Sequence, residues 1–428
     1  DSRAEKWRNV VADTVASVQQ SGMKETVNKA FWHVYKSTIQ RDVPAREPVF
    51  LGEKLKYADR IECDVREEGY AEYFKEDDID RIQNRDLDFI LRFGFGILKG
   101  EILDVPTYGI WSFHHGDERK YRGRPPGFWE VYEGDPVTGA ILQRLTERLD
   151  GGVILRRGWF STYPYSWETN LNRILFATTR WPAQVALDII MGSTDYLDAT
   201  PSKTKAPIYT VPNPLQIGAL YSKQIASMIE EVTRGGSTWG IGIARESIES
   251  FVNGPESVSF NWYSHPDPTR FIADPFPVKI NESEYIFFEE YSFDQKEGWI
   301  SYMPIDDQSK SMEIMPAFNR DHHLAYPYFF THDGQTYATP EMADGGDINL
   351  FRVHSPREWE FEQTLVPNIS GVDPTVIEYN GMWWLFFTRK DDLPNTNLYL
   401  WYAPDLHGPW NPHKNNPVKT DIRSSRPA

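Results

Sequence analysis

The sequence predicts a multidomain chain, with an α/β layer in its N-terminal half and an all-β array of propeller type after it. Two observations carry that prediction. Between residues 50 and 200, strand-like and helix-like apolar patterns alternate, as they do in α/β layers. Beyond Trp239, short aromatic and β-branched runs are separated by Asn, Asp, Gly and Pro, and three of them repeat without a gap. These are 273–289 (ADPFPVKINESEYIFFE), 325–341 (AYPYFFTHDGQTYATPE) and 372–388 (VDPTVIEYNGMWWLFFT), with starts 52 and then 47 residues apart. Hairpins recurring at such a period mark propeller blades; an ordinary β-sandwich is the alternative.

Residues 1–41 read as helical, because Trp7, Val10, Val11, Val15 and Val18, and later Phe31, Val34 and Tyr35, recur at helical spacing. Pro44 and Pro48 break the pattern. Ile61–Val65 reads as a strand and Asp77–Arg85 as a helix, with Asp77 or Asp78 as N-cap. Leu87–Leu91 has the short apolar run of a buried parallel strand. Gly127–Tyr132 reads as a helix, Val137–Leu142 as a strand, and residues 168–191 as helix interrupted at Trp181-Pro182. The α/β domain is therefore set at 1–192. Residues 193–236 form a proline-rich connector with a helix over Gln216–Arg234, and 237–428 form the β-array. In each repeat a polar pair (Asn281-Glu282, Asp333-Gly334, Asn380-Gly381) separates two strands, a hairpin signal. The chain starts at Asp1 rather than Met and stops just after a strong motif, so a trimmed piece and an incomplete five-bladed propeller are expected.

A net charge of −17 repels phosphate backbones, so no nucleic-acid partner is expected. Cys63 is the only cysteine, which leaves no internal disulfide and no cysteine-built metal site; a reducing, cytoplasmic setting is the expectation. No apolar run approaches the roughly 20 residues that span a bilayer. The aromatic share of 14% suits β-structure or stacking on sugar faces. Oligomeric state is not legible.

The chemistry gathers first in residues 87–155. Phe95-Gly96-Ile97 follows a strand, and glycine there lets backbone approach a flat ligand. Ile110–Phe113 can deliver His114 and His115 to the C-terminal edge of a sheet, where α/β sites sit. Either histidine is a candidate proton carrier near neutral pH. The run continues through Lys120-Tyr121-Arg122-Gly123, Gly134-Asp135, Thr138-Gly139 and Leu149-Asp150-Gly151-Gly152.

Over about residues 85–190 this order resembles the formyltransferase superfamily, whose members include glycinamide ribonucleotide, methionyl-tRNA and sugar N-formyltransferases. The resemblance implies a Rossmann-like α/β fold and a formyl group carried by 10-formyltetrahydrofolate to an amine. It implies that His114 assists proton transfer, that Asp150 orients that histidine or an ordered water and helps hold the pterin, and that Phe95, Gly96 and Ile97 line the folate pocket. Tyr121 and Arg122 of the turn stand as substrate-binding candidates. The family's Asn, an oxyanion donor, falls on Ser112, whose hydroxyl reaches less far. His115 or Arg119 could take that part, or the domain has moved to hydrolysis or another one-carbon transfer.

A second set lies in the repeats. Asp274, Tyr326 and Asp373 are equivalent to one another, as are Glu289, Glu341 and Thr388. Inner strands of propellers line one axial pocket, so Asp274, Glu289, Glu341 and Asp373 are expected to converge as substrate-binding carboxylates. The segment resembles the five-bladed propellers of arabinanase- and xylosidase-type glycoside hydrolases, and that of glucosamine-inositolphosphorylceramide-transferase-like proteins. Such hydrolases use two Asp and one Glu, and Tyr326 stands where the second early Asp would be. His322-His323 alone is a weak metal signal; no metal is expected. The expected function is formyl transfer to a small-molecule amine, an amino sugar foremost. The alternative is a glycoside-processing or glycan-binding propeller with a degenerate α/β half.

Overall fold

The computed structural model describes residues 23–38, 42–148, 151–233, 238–244, 246–253, 258–305 and 313–427. The chain divides into two compact units, Asp1–Arg234 and Gly235–Ala428.

The N-terminal unit opens with helix α1 (Met23–Thr38). The apolar positions expected at Trp7, Val10, Val11, Val15 and Val18 lie outside the described residues. On α1 the buried residues are Trp32 and Tyr35, while Val34, expected inside, is exposed. A hairpin, β1 (Val65–Glu68) and β2 (Ala71–Phe74), precedes helix α2 (Glu76–Gln83). Strand β1 therefore starts where the expected strand at Ile61 was to end. Helix α2 is capped at Lys75, not at an aspartate. Asp78 is buried instead, taking the Asp64 N–H at 2.8 Å and Arg81 Nη1 at 2.9 Å.

The main sheet runs β3 (Ile90–Leu91), β5 (Ile110–His114), β7 (Val137–Arg144), β8 (Val153–Ser161); β4 (Ile97–Leu98) pairs with β2 elsewhere. Only β3 and β5 run parallel in it; β5–β7 and β7–β8 are antiparallel. The sheet is thus mixed: the parallel pairing expected at Leu87–Leu91 is made by Ile90–Leu91 with β5, while β7 and β8 run antiparallel, which departs from a regular Rossmann-like layer. The short link from β7 to β8 accounts for one of the two reversals, since a parallel return needs a crossover of about a dozen residues or more. Between β5 and β7 come β6 (Arg122–Gly123) and helix α3 (Phe128–Glu133), flanked by Gly127 and Gly134 at φ 70° and 77°, a left-handed region cheap only for glycine. Helix α4 (Trp167–Thr178) is capped by Ser166 Oγ on the Thr169 N–H. Helix α5 (Trp181–Ile190) starts afresh with Pro182 in its first turn, where a missing N–H costs nothing.

After β9 (Ile208–Tyr209), helix α6 (Pro214–Thr233) places Ile217 and Leu220 in the same core as Trp32, Phe128, Trp129, Trp167 and Leu171. The expected connector is therefore an integral wall of this unit.

The C-terminal unit holds a two-stranded ladder, β10 (Ile241–Ile243) with β11 (Asn261–Tyr263), and three antiparallel sheets. The first is β12 (Arg270–Ile280), β13 (Ser283–Ser292), β14 (Glu297–Pro304) and β15 (Met315–Phe318). The second is β16 (Ala325–His332), β17 (Gln335–Glu341), β18 (Ile348–Ser355) and β19 (Glu358–Val366). The third is β20 (Gly371–Tyr379), β21 (Met382–Arg389), β22 (Asn397–Ala403) and β23 (Asn411–Pro412), with β24 (Lys419–Thr420) also on β22. Each repeat of the sequence is the first hairpin of one sheet. Its turn has both central residues at positive φ: Asn281 49° and Glu282 69°, Asp333 48° and Gly334 72°, Asn380 54° and Gly381 71°. That geometry matches the strand twist. Among the described residues the unit has two four-stranded sheets, one five-stranded sheet and one two-stranded ladder, fewer than a five-bladed ring requires.

Candidate functional site

In the N-terminal unit, β5 carries Ser112, buried, and His114 at its C-terminal end. His114 Nε2 lies 2.9 Å from the Tyr121 carbonyl. A carbonyl only accepts, so Nε2 carries the proton and Nδ1 is left as an acceptor. Ser112 Oγ accepts from Arg92 Nη1 at 2.9 Å. Arg92, just past β3, was not singled out from the sequence, although it sits at the strand edge where sites form. It brings a cationic donor to the place where the family has Asn. Arg119, the alternative donor, is committed to Asp117 through Nε and Nη2 at 2.9 and 2.8 Å.

His115 is set differently from His114. It stacks on Phe113, reaches Thr178 Oγ1 at 3.2 Å, and burial pushes its pKa down to about 3. Glu130 is the other residue the sequence left unmarked. It is buried on α3, with Oε1 near the Gly116–His114 turn and without a hydrogen-bond partner among the described residues. Burial raises its pKa to about 8.

The loop Phe95–Ile97, expected to line a folate pocket, is engaged by the protein itself. Gly96 N–H donates to Glu72 Oε2 at 2.7 Å, and Arg92 Nη2 donates to the carbonyls of Phe95 and Gly96. Ile97 pairs in β4. Tyr121 and Arg122 spend their polar ends on Asp135 and the Ala206 carbonyl. Leu149 and Asp150 lie outside the described residues. The turn motif has structural duties: Thr138 bonds Thr162 and Asn170, and a Cβ on Gly139 would meet the Asp117 backbone at 2.7 Å.

The C-terminal unit builds its site from one kink used three times. Asp274, Tyr326 and Asp373 have φ of 50°, 39° and 52°, and the ladder register shifts beside each. Each precedes a proline, which brings no N–H to leave unpaired in the bulge. A bulge re-aims a side chain, and left-handed strain of about 1 kcal/mol per residue persists where the surroundings enforce it. Across the ladder, Glu289 pairs with Ala273, Glu341 with Ala325, and Thr388 with Val372.

These groups meet. Asp373, wholly buried, is clasped by Arg426 through Nε and Nη2, and its N–H donates to Glu341 Oε2 at 3.1 Å. Burial, then the Asp373 charge, raises Glu341 to about 8. Burial, then Asp274 and Glu341, raises Glu289 to about 8. Asp274 is raised by burial and by Asp373. Tyr326 bonds Thr375 Oγ1 at 3.0 Å, and burial lifts its hydroxyl to about 12. His323 Nδ1 accepts the Gly298 N–H at 2.9 Å, so in its neutral form Nε2 carries the proton, 3.7 Å from Glu289 Oε1. Four carboxyl groups thus share one guanidinium. The arrangement keeps two glutamic acids protonated near neutrality and ties up Asp373. No group of three or more metal-ligating side chains is arranged to hold an ion among the described residues.

Residues 255–427 match the family described as glucosamine inositolphosphorylceramide transferase 1, N-terminal. The protein of that name from Oryza sativa subsp. japonica is 33% identical over 162 residues, which cover 37% of this chain and 22% of that protein. A methionyl-tRNA formyltransferase of Agathobacter rectalis is 27% identical over 176 residues, covering 41% of this chain and 54% of that enzyme. The chain thus spans about a fifth of the plant relative and about half of the bacterial one. Among solved structures, a family 117 glycoside hydrolase of Zobellia galactanivorans covers 37% of this chain at 19% identity and a TM-score of 0.30, too partial to assign an architecture.

Proposed function

We propose that the chain is a carbohydrate-directed transferase whose C-terminal unit holds an amino sugar through Asp274, Glu289 and Glu341. One observation carries this reading: four carboxyl groups crowd around a single guanidinium, so the cluster lacks positive charge. A sugar ammonium supplies it, and the carboxylates accept the ring hydroxyls. Hydrolysis is not part of the reading, because Asp373 is held by Arg426 and Tyr326 replaces an acid. The family model described as glucosamine inositolphosphorylceramide transferase 1, N-terminal, matches residues 255–427 of this same unit.

Binding an ammonium lowers the raised pKa values of Glu289 and Glu341, so uptake of the sugar releases protons. Titration calorimetry with glucosamine in two buffers of different ionisation heat at pH 7 reads that release. Asp274→Asn and Glu289→Gln should each weaken binding about tenfold. Equal binding of glucose, or no buffer dependence, overturns the reading.

A second reading, formyl transfer to the amine of that sugar, is favoured by the Arg92–Ser112 pair beside His114. Arg92 Nη1 can donate to an oxyanion, and His114 Nδ1 can take the amine proton. 10-Formyltetrahydrofolate would supply the formyl group. The Phe95–Gly96 loop, with its carbonyls on Arg92 and its N–H on Glu72, does not fit a pterin edge as it stands, and no step is routed through it. Release of tetrahydrofolate from 10-formyltetrahydrofolate and glucosamine is the assay; His114→Ala and Asp150→Asn should abolish it. Unchanged turnover in His114→Ala removes this reading.

A further inference from the structure

The N-terminal unit contains a cavity of about 370 Å³ that neither reading uses. Lys29, Trp32, His33 and Lys36 reach it from one face of α1, at spacings of three, four and seven. Arg46 enters from the single turn Pro44–Arg46, which is pinned where the Ala45 N–H donates to Asn172 Oδ1 at 2.8 Å. Arg124 enters from the turn before α3, whose backbone is fixed by its N–H on the Tyr209 carbonyl at 3.1 Å and by Trp129 Nε1 on its own carbonyl at 3.2 Å. The floor is aromatic: Trp32 and Trp167 pack with centroids 5.8 Å apart.

The charge is one-sided. Among the described residues no carboxylate lines the cavity. Among the described residues the side chains of Lys36, Arg46 and Arg124 have neither hydrogen-bond nor ion-pair partner, and a chain of net charge −17 has acids to spare. These three cations attract a multivalent anion, and guanidinium forks suit phosphate oxygens. We propose that this cavity binds a phosphate or diphosphate ester, with its organic part against Trp32 and Pro125. The proposal stands on residues distinct from the carboxylate cluster and from Ser112 and His114, so it survives or falls separately from both earlier readings.

The test is titration calorimetry on the full chain at low salt. The probes are inorganic phosphate, pyrophosphate, glucose 6-phosphate and uridine diphosphate, with sulfate as control. Single-site binding of a phosphate compound is expected, weakened about tenfold or more in Lys36→Gln and in Arg124→Gln. Both side chains are exposed, and circular dichroism checks that each variant stays folded. Glucose 6-phosphate outbinding uridine diphosphate identifies a sugar phosphate; the reverse identifies a nucleotide. No binding by any phosphate probe, sulfate binding as tightly as pyrophosphate, or unaltered affinity in both variants overturns the proposal.

Discussion

Arg426 and Asp373 show what a single residue decides here. Asp373 is fully buried, and its charge is balanced by a guanidinium that is itself partly open to water. Removing the guanidinium strands a buried carboxylate, a loss of about 3 kcal/mol, the lower end for broken buried pairs because water can reach the gap. Arg426→Ala should therefore lower the denaturation midpoint of the C-terminal unit, and Asp373→Asn in the same chain should recover part of the loss. Equal stability of Arg426→Ala and the parent would contradict that account. The sequence revealed Asp373 through the repeat, because equivalent positions announce themselves. Arg426 lies outside the repeated segments, so nothing in the pattern tied it to Asp373. Arg92 and Glu130 escaped for a related reason: the Arg92 contact with Ser112 and the burial of Glu130 near His114 are properties of packing, and no spacing rule encodes them.

Among the elements, the three hairpins were the most legible, since Asp-Gly and Asn-Gly select the turn that the strand twist demands. The first hairpin differs in using Glu282 at φ 69°, where a side chain is disfavoured. Glu282→Gly should raise stability by about 1 kcal/mol, and Gly381→Ala should lower it by a similar amount. Chemical denaturation of both variants checks the pair. The main sheet of the N-terminal unit was less legible. The run Leu87–Leu91 gave a half-buried strand, shortened to Ile90–Leu91, that does pair in parallel with β5, but apolar patterning carried no direction for β7 and β8, which run antiparallel. Loop length, short between β7 and β8, held the missing information.

Across the whole molecule, three buried glutamates share one electrostatic sign. Glu130, Glu289 and Glu341 each rise from an ordinary 4.5 to about 8 on folding. The folded state therefore binds more protons than the unfolded one within that window. Stability contributed by these groups is full below pH 4.5 and falls as pH rises toward 8, by up to about 1.4 kcal/mol per pH unit for each group. Denaturation midpoints measured from pH 5 to 8 should decline, and Glu130→Gln should flatten the part belonging to the N-terminal unit. A midpoint that climbs through this range would refute the burial account. Amino-sugar binding should shrink the decline in the other unit.

Helix α6 has a practical bearing on any attempt to separate the halves. Because Ile217 and Leu220 sit against Trp32 and Phe128, a gene cut placed at the proline-rich stretch would strip the first half of an inner wall and leave its tryptophans wet. A cut after Thr233 keeps that wall with its owner.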